Sequence, residues 1–181
     1  LAVPHLSRLN LVPGEAHAGV LPTAGAVGFD ASSTILRLAN DLGAARDLTV
    51  LTNGPDTFAA LQGQAGVSPL LTGGRLDPQT GSLVGPLACR AATQVALQVL
   101  VVSAAAVDPR LGGLEASLDE AEVKRAMAEA AAQVVLAVDA SKLNRRAVAV
   151  GVDWDRVDLL VTDLDPADER LAPYRDLTTI A

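Results

Sequence analysis

Short aliphatic runs recur along this chain, each bounded by turn residues and followed by a stretch with apolar groups at helical spacing. Val27–Asp30, Leu48–Thr52, Val67–Thr72, Val99–Ala104, Val134–Asp139, Leu159–Thr162 and Leu177–Ile180 have the length and flanks of strands. Ser33–Leu42, Asp56–Gln64, Pro86–Thr93, Leu118–Ala132 and Pro166–Tyr174 carry the helical pattern, and the first of these stops at Gly43. Strands alternating with helices predict an α/β fold, a mostly parallel sheet with helices on both faces. Thr72–Gly85 breaks the rhythm: Gly73-Gly74 and Asp77-Pro78-Gln79-Thr80-Gly81 are turn chemistry and predict a small hairpin. Ser117, with Glu120 three residues on, forms a capping box at the start of the fourth helix, where Glu120 and Lys124 are spaced to pair and Val123 and Met127 share the apolar face. Residues 1–22 hold Pro4, Pro13, Gly14, Gly19 and Pro22 without a sustained period and read as a linker or arm; 23–181 reads as one domain.

Composition narrows this picture. Hydrophobic residues make up 50% and charged residues 19%, which is globular, while aromatics at 2% leave a core of Ala, Val and Leu. A formal net charge of −7 repels nucleic acid phosphates, and so few aromatics make no base-stacking platform. No apolar run reaches the roughly 20 residues a membrane-spanning helix needs, and no export leader is visible. The single Cys89 forms no internal disulfide, which fits a reducing cytoplasm. Two histidines, His5 and His17, both in the leading segment, argue against a zinc site, and nothing calls for another cofactor.

The candidate chemistry lies where strands end. In Gly25–Thr34 an apolar run gives way to Asp30 and the hydroxyl residues Ser32, Ser33 and Thr34, and a helix follows at once. Such a turn aims free backbone N–H groups at one point and suits a phosphate or carboxylate, although an ordinary strand-to-helix turn with a hydroxyl cap has the same composition. Thr52-Asn53, Gly73-Gly74 and Asp139 with Ser141-Lys142 also close predicted strands, and in a parallel sheet those ends share one edge, where open α/β proteins place ligands. There Lys142 can neutralise an anion, and Asp30, Asn53, Asp108 and Asp139 can bond to sugar hydroxyls. Each also has a plainer reading, Asn53-Gly54 as a turn and Lys142 as a solvated charge. Phosphate binding at this edge requires a pocket that is locally electropositive on an acidic chain.

From Ala24 to Ala181 the chain resembles the C-terminal sensor domain of DeoR-type transcriptional repressors. The segments that carry the resemblance are Gly28-Phe29-Asp30-Ala31-Ser32-Ser33-Thr34, Leu48-Thr49-Val50-Leu51-Thr52-Asn53, Leu71-Thr72-Gly73-Gly74-Arg75-Leu76, Thr80-Gly81-Ser82-Leu83-Val84-Gly85-Pro86, Ala105-Ala106-Val107-Asp108 with Gly112-Gly113-Leu114, Glu120-Ala121-Glu122-Val123-Lys124-Arg125-Ala126-Met127, and Val138-Asp139-Ala140-Ser141-Lys142-Leu143. Residues 16–22 are similar to the tail that follows the family's winged helix-turn-helix, a domain the resemblance places before this chain. The resemblance implies a fold similar to ribose-5-phosphate isomerase and the sugar-phosphate isomerase group. It also implies a phosphorylated sugar or sugar-derived metabolite as effector, a homo-oligomer (dimer or tetramer), DNA contact only through the preceding domain, and no membrane partner. Carried over by motif, Ser32, Ser33 and Thr34 hold the phosphate; Asp30, Thr52, Asn53, Gly73, Gly74, Asp108 and Lys142 line the remainder, with Lys124 and Glu120 nearby. Three positions depart from the family pattern: Ser32 and Ala106 replace glycines, and Glu115 follows Gly113-Leu114 where a threonine is usual. A carboxylate at Glu115 is expected to repel phosphate. Two other readings go with the fold: an aldose–ketose isomerase, with Asp108 or Glu120 as base, and a sensor that only oligomerises.

Overall fold

The computed structural model describes residues 20–40, 42 and 45–181, so the expected arm is seen only from Val20, and His5, His17 and Gly43 lie outside the described residues. In chain order the elements begin with β1 (Ala24–Phe29), α1 (Ser33–Ala39), β2 (Asp47–Thr52), α2 (Pro55–Leu61) and β3 (Val67–Leu71). Next come β4 (Arg75–Leu76), β5 (Leu83–Val84), α3 (Pro86–Ala92), β6 (Leu97–Val102), β7 (Ala106–Asp108) and β8 (Gly112–Glu115). The chain continues through α4 (Leu118–Glu129), β9 (Ala131–Ala137), β10 (Ala149–Val152), β11 (Leu159–Val161) and β12 (Thr179–Ile180).

Among the described residues the main sheet has seven strands in the order β12-β11-β9-β6-β1-β2-β3, every neighbouring pair parallel. Strand side chains alternate between its faces. Val27, Phe29, Val50, Val99, Val101 and Val135 pack with Ile35 and Leu38 of α1 and Leu61 of α2. Leu100, Val102, Val134 and Leu136 pack with Ala88 and Ala92 of α3 and Val123 and Met127 of α4. A core poor in aromatics needs close approach, and Gly28 supplies it. A Cβ there would stand 2.8 Å from the Leu97 and Leu100 methyls and 3.3 Å from Met127 Cε.

The sheet edge at β3 is guarded by sequence. Leu48 N donates to Gly66 O and Thr72 N to Thr52 O, so even-numbered positions of β3 turn their peptide groups toward β2 and odd-numbered ones turn outward. Pro69 stands at an outward position, where its missing N–H costs the ladder nothing and a further strand finds no donor.

The predicted hairpin forms from β4 and β5, antiparallel, closed by Asp77 N to Ser82 O at 2.8 Å. A three-stranded antiparallel sheet, β10-β8-β7, was not anticipated. Its strands are short, and Gly112 and Gly113 leave no alternating side chains to read; Gly112 has φ +96°, and a Cβ there would lie 2.2 Å from Val152 O.

Four local expectations need correction. The fourth helix ends at Glu129 rather than Ala132, because β9 begins at Ala131 and the Arg156 guanidinium holds the Ala128 and Ala131 carbonyls at the junction. The stretch 166–174 is a 3-10 helix, Glu169–Tyr174, since Pro173 inside it cannot donate to an α-helical ladder. The Ser117 side chain makes no capping bond, and Glu120 Oε1 instead accepts from Ser82 Oγ at 2.9 Å. Lys124 pairs not with Glu120 but with Asp30 and Glu115.

Candidate functional site

β1 sits between β2, to which α1 leads, and β6, which arrives from the other half of the sheet. That reversal of strand order opens a crevice outside the carboxyl ends of β1 and β6, where doubly wound sheets hold ligands. A cavity of about 410 Å3 lies there. Its walls come from the β1–α1 turn (Ala31–Thr34), the segment after β6 (Ser103–Ala105), Glu115 at the end of β8, Glu120 and Lys124 on α4, Thr80 on the hairpin tip, and Asp139 and Lys142 after β9.

The floor is built around Asp30, which is fully buried. Its Oδ1 accepts from Ser32 N at 3.1 Å and Ser32 Oγ at 2.6 Å; its Oδ2 accepts from Ser103 N at 3.0 Å and lies 2.9 Å from Lys124 Nζ. Asp30 therefore ties the two loops at the crevice together and has no oxygen to spare. Lys124 is equally committed: its three protons serve Asp30 Oδ2, Glu115 Oε1 at 2.6 Å and Ser103 O at 2.9 Å. Burial disfavours the Lys124 ammonium, but the charges of Asp30 and Glu115 outweigh it and raise its pKa. Burial raises the pKa of Glu115, against the pull of Lys124.

Above this floor stand groups with free capacity. Ser32 Oγ also accepts from Ile35 N at 3.2 Å, which caps α1 and uses up that hydroxyl. The amides of Ser33 and Thr34, first in α1, have no intrahelical acceptor. Lys142, half-buried, makes no ion pair with a described residue. Glu115 has one oxygen engaged, and Thr80 Oγ1 shares a 2.8 Å hydrogen bond with Ser82 Oγ beside Glu120.

The cavity thus gathers Ser32, Ser33, Thr34, Lys124 and Lys142 above Asp30. Glu120 and Asp139, also expected there, line it too, and Thr52, Asn53, Gly73, Gly74 and Asp108 lie outside its lining. Thr52 Oγ1 accepts from Gly54 N at 3.0 Å and shapes the turn into α2. Asn53 donates to Leu83 O at 3.2 Å and ties the hairpin to β2, while its Oδ1 is buried with no hydrogen-bond partner among the described residues. Gly73 and Gly74 border a separate depression of about 500 Å3 beside Leu87 and Arg90 of α3. Asp108 accepts from Arg110 N and Arg146 Nε, both at 2.8 Å, and its carbonyl accepts from the Trp154 indole at 3.0 Å. The two bonds to its carboxylate, the Arg110 amide foremost, hold Asp108 below the usual carboxylate pKa.

The expectation of a locally electropositive pocket is corrected. Glu115, Glu120 and Asp139 face Lys124 and Lys142 around the cavity, three carboxylates against two ammonium groups, with Asp30 beneath. Lys124, counted in sequence as a ligand cation, is neutralised from within. Glu115, expected only to repel phosphate, is one of the two acids that neutralise it. The signal for Glu115 was its departure from a familiar pattern; Thr80 stood in sequence only as part of a hairpin turn and a family segment, and for Ser103 there was no signal, because tertiary folding alone brings them here.

The fold is a doubly wound α/β domain with a polar crevice at its switch point. The model of the DeoR C terminal sensor domain matches residues 14–164, and the chain belongs to that family. Among its relatives, the HTH-type transcriptional regulator GlpR of Haloferax volcanii is 35% identical over 137 residues, 75% of this chain and 52% of GlpR. Transcriptional repressor AccR of Agrobacterium fabrum is 32% identical over 147 residues, 81% of this chain and 57% of AccR. The chain spans about half the length of these curated relatives. Among solved structures, the tetrameric eIF2B-beta2-delta2 complex from Chaetomium thermophilum superposes with TM-score 0.53 and 17% identity over 84% of this chain and 55% of that one, a likeness of fold. Ribose 5-phosphate isomerase A from Neisseria gonorrhoeae gives TM-score 0.44 and 18% identity over 70% and 48%. No helix among the described residues is long and apolar enough to cross a membrane.

Proposed function

We propose that this chain is the effector-sensing, oligomerising part of a cytoplasmic DeoR-type repressor and is not an enzyme. A phosphorylated sugar or related metabolite occupies the cavity between β1 and β6 and changes DNA binding by a winged helix-turn-helix elsewhere in the whole protein. The observation that carries this is the cavity at the switch point, where the Ser33 and Thr34 amides, their hydroxyls and Lys142 are left for an anion. Ser32 shapes that turn through its cap, and Asp30 and Lys124 hold the floor. Effector binding favours one of two arrangements of the oligomer. Leu70, Leu71, Leu76 and Leu87, all exposed around β3, the hairpin and α3, supply apolar surface for subunit contact.

A thermal-shift panel of sugar phosphates tests the reading. A ligand at a hundredfold excess over its Kd adds about 2.7 kcal/mol of stability. Lys142→Ala abolishes most of that gain and leaves the unliganded stability unchanged, because Lys142 pairs with no described residue. A silent panel, or a response indifferent to Lys142→Ala, overturns the proposal. The excess of carboxylates around the cavity favours a second reading, a sensor domain retained for association alone. That reading requires a dimer or tetramer by light scattering with no saturable ligand.

A further inference from the structure

The cavity is charged unevenly, and the unevenness selects among ligands. Lys124 lies between Asp30 and Glu115, so this buried group of three carries one excess negative charge when both acids are ionised. Glu120 adds a second carboxylate to the same wall, its Oε1 taking only the Ser82 hydroxyl. Among the described residues Lys142 is the one lining cation outside the Asp30–Glu115 floor, with Asp139, three residues before it, a third lining carboxylate. The site therefore has one place for an anionic group. The Glu115–Glu120 wall consists of acceptors and must be met by donors.

We propose that Glu115, with Glu120, restricts this cavity to ligands with a single anionic group and a hydroxyl-bearing remainder: monophosphorylated sugars or polyols, to the exclusion of phosphorylated sugar acids and bisphosphates. This rests on the reading of the cavity as a phosphosugar site. A neutral hydroxyl against Glu115 or Glu120 donates a hydrogen bond to a charged acceptor, one of the stronger kinds. A ligand carboxylate in that position faces like charge in a poorly solvated cleft, and neither Lys124 nor any other floor cation has a proton to offer it. Glu115 is also buried, at 4% exposure, so water cannot screen it as it would a rim charge.

Matched pairs that differ only by CH2OH against COO− provide the experiment. They are glycerol 3-phosphate and 3-phosphoglycerate, erythritol 4-phosphate and 4-phosphoerythronate, and glucitol 6-phosphate and 6-phosphogluconate, titrated calorimetrically into the whole chain. In any pair that binds, the polyol phosphate is expected to bind roughly 100-fold more tightly than its acid partner. Glu115→Gln keeps an acceptor for Lys124 and should narrow that ratio at least tenfold by weakening the polyol little and strengthening the acid. Glu120→Gln, which leaves the buried triad intact, should narrow it less and serves if Glu115→Gln fails to fold. An acid that binds as well as its polyol partner, or a ratio unmoved in either folded variant, overturns the inference while leaving the phosphate site standing. Silence from all six compounds and from glucose 6-phosphate and ribose 5-phosphate overturns the phosphate reading itself, and this inference with it.

Discussion

Two acid–base clusters sit at opposite ends of the β7–β8 hairpin. At its open end Glu115 meets Lys124 and Asp30, with side-chain exposures of 5%, 7% and 0%. At its turn Asp108 meets Arg146, whose side chain is 70% exposed. The partners are chemically similar, and their surroundings differ. In the first cluster Lys124 has spent every proton on protein acceptors, so removing one member strands the others where water cannot replace it. In the second, solvent reaches the guanidinium and takes over when the pair is broken. The buried cluster therefore joins three parts of the chain, β1, β8 and α4, and its integrity is a condition for the cavity above it. The Asp108–Arg146 pair steadies one loop. Glu115 and Asp108 are both buried, at 4% and 7% exposure, so the exposure of the cation facing each decides what the loss of the pair does.

The most direct attack on that contrast is Lys124→Met. It leaves Asp30 and Glu115 facing each other with no cation between them, and removing one partner of a buried ion group costs about 3–5 kcal/mol. Urea denaturation should show that loss. A cost as small as a surface pair's would mean that the triad is solvated and the contrast false. Adding Glu115→Gln to Lys124→Met removes one of the two stranded charges and should recover part of the stability, a coupling that two independent sites would not show.

Asp30→Asn is the next largest. It keeps the shape but gives the amide only one acceptor oxygen, where Asp30 serves Ser32 and Ser103 amides, the Ser32 hydroxyl and Lys124. At least one buried donor is left unmatched, at about 1–3 kcal/mol. Because Asp30 joins the β1–α1 turn to the segment after β6, the variant should also weaken effector binding, even though Asp30 has no free oxygen for a ligand. Unchanged affinity in a destabilised variant would separate the floor from the cavity.

The same contrast explains what could be read from the chain beforehand. Strands of the main sheet were legible because a buried parallel strand is a bare aliphatic run, and Val27–Phe29 or Val134–Ala137 can hardly be anything else. The polar residues at the strand ends were legible as a set, because a parallel sheet puts those ends on one edge. What each polar residue does there was not. Asp30, Lys124 and Asp108 look alike in sequence as charged residues near a ligand edge, yet two close the cavity floor and the third is buried against an exposed arginine outside it. Glu120 satisfied the spacing of a capping box, and the folded chain offered it Ser82 from a distant hairpin instead. The β7-β8-β10 sheet stayed hidden for a local reason: Gly112, Gly113 and Gly151 carry no side chains to show a period of two.

The smallest effect is expected at the Asp108–Arg146 pair, and its sign separates it from the triad. The Arg110 amide and the Arg146 guanidinium hold Asp108 below its ordinary pKa of 3.8, so its contribution is present above that value and is lost as pH falls through the depressed one. Asp168 behaves likewise: the Arg170 side chain and amide hold it at about 2. Glu115 runs the other way. Burial raises it above 4.5, so its contribution is present at low pH and declines as pH rises through the raised value. Asp108→Asn should flatten the acid side of the stability profile below about pH 4 and move the urea midpoint at pH 7 less than the substitutions in the triad do. Glu115→Gln should leave the acid side alone and remove a decline that begins above pH 4.5. If both variants flattened the same limb, the two clusters would share one electrostatic environment, and the exposure of the paired cation would not be what distinguishes them.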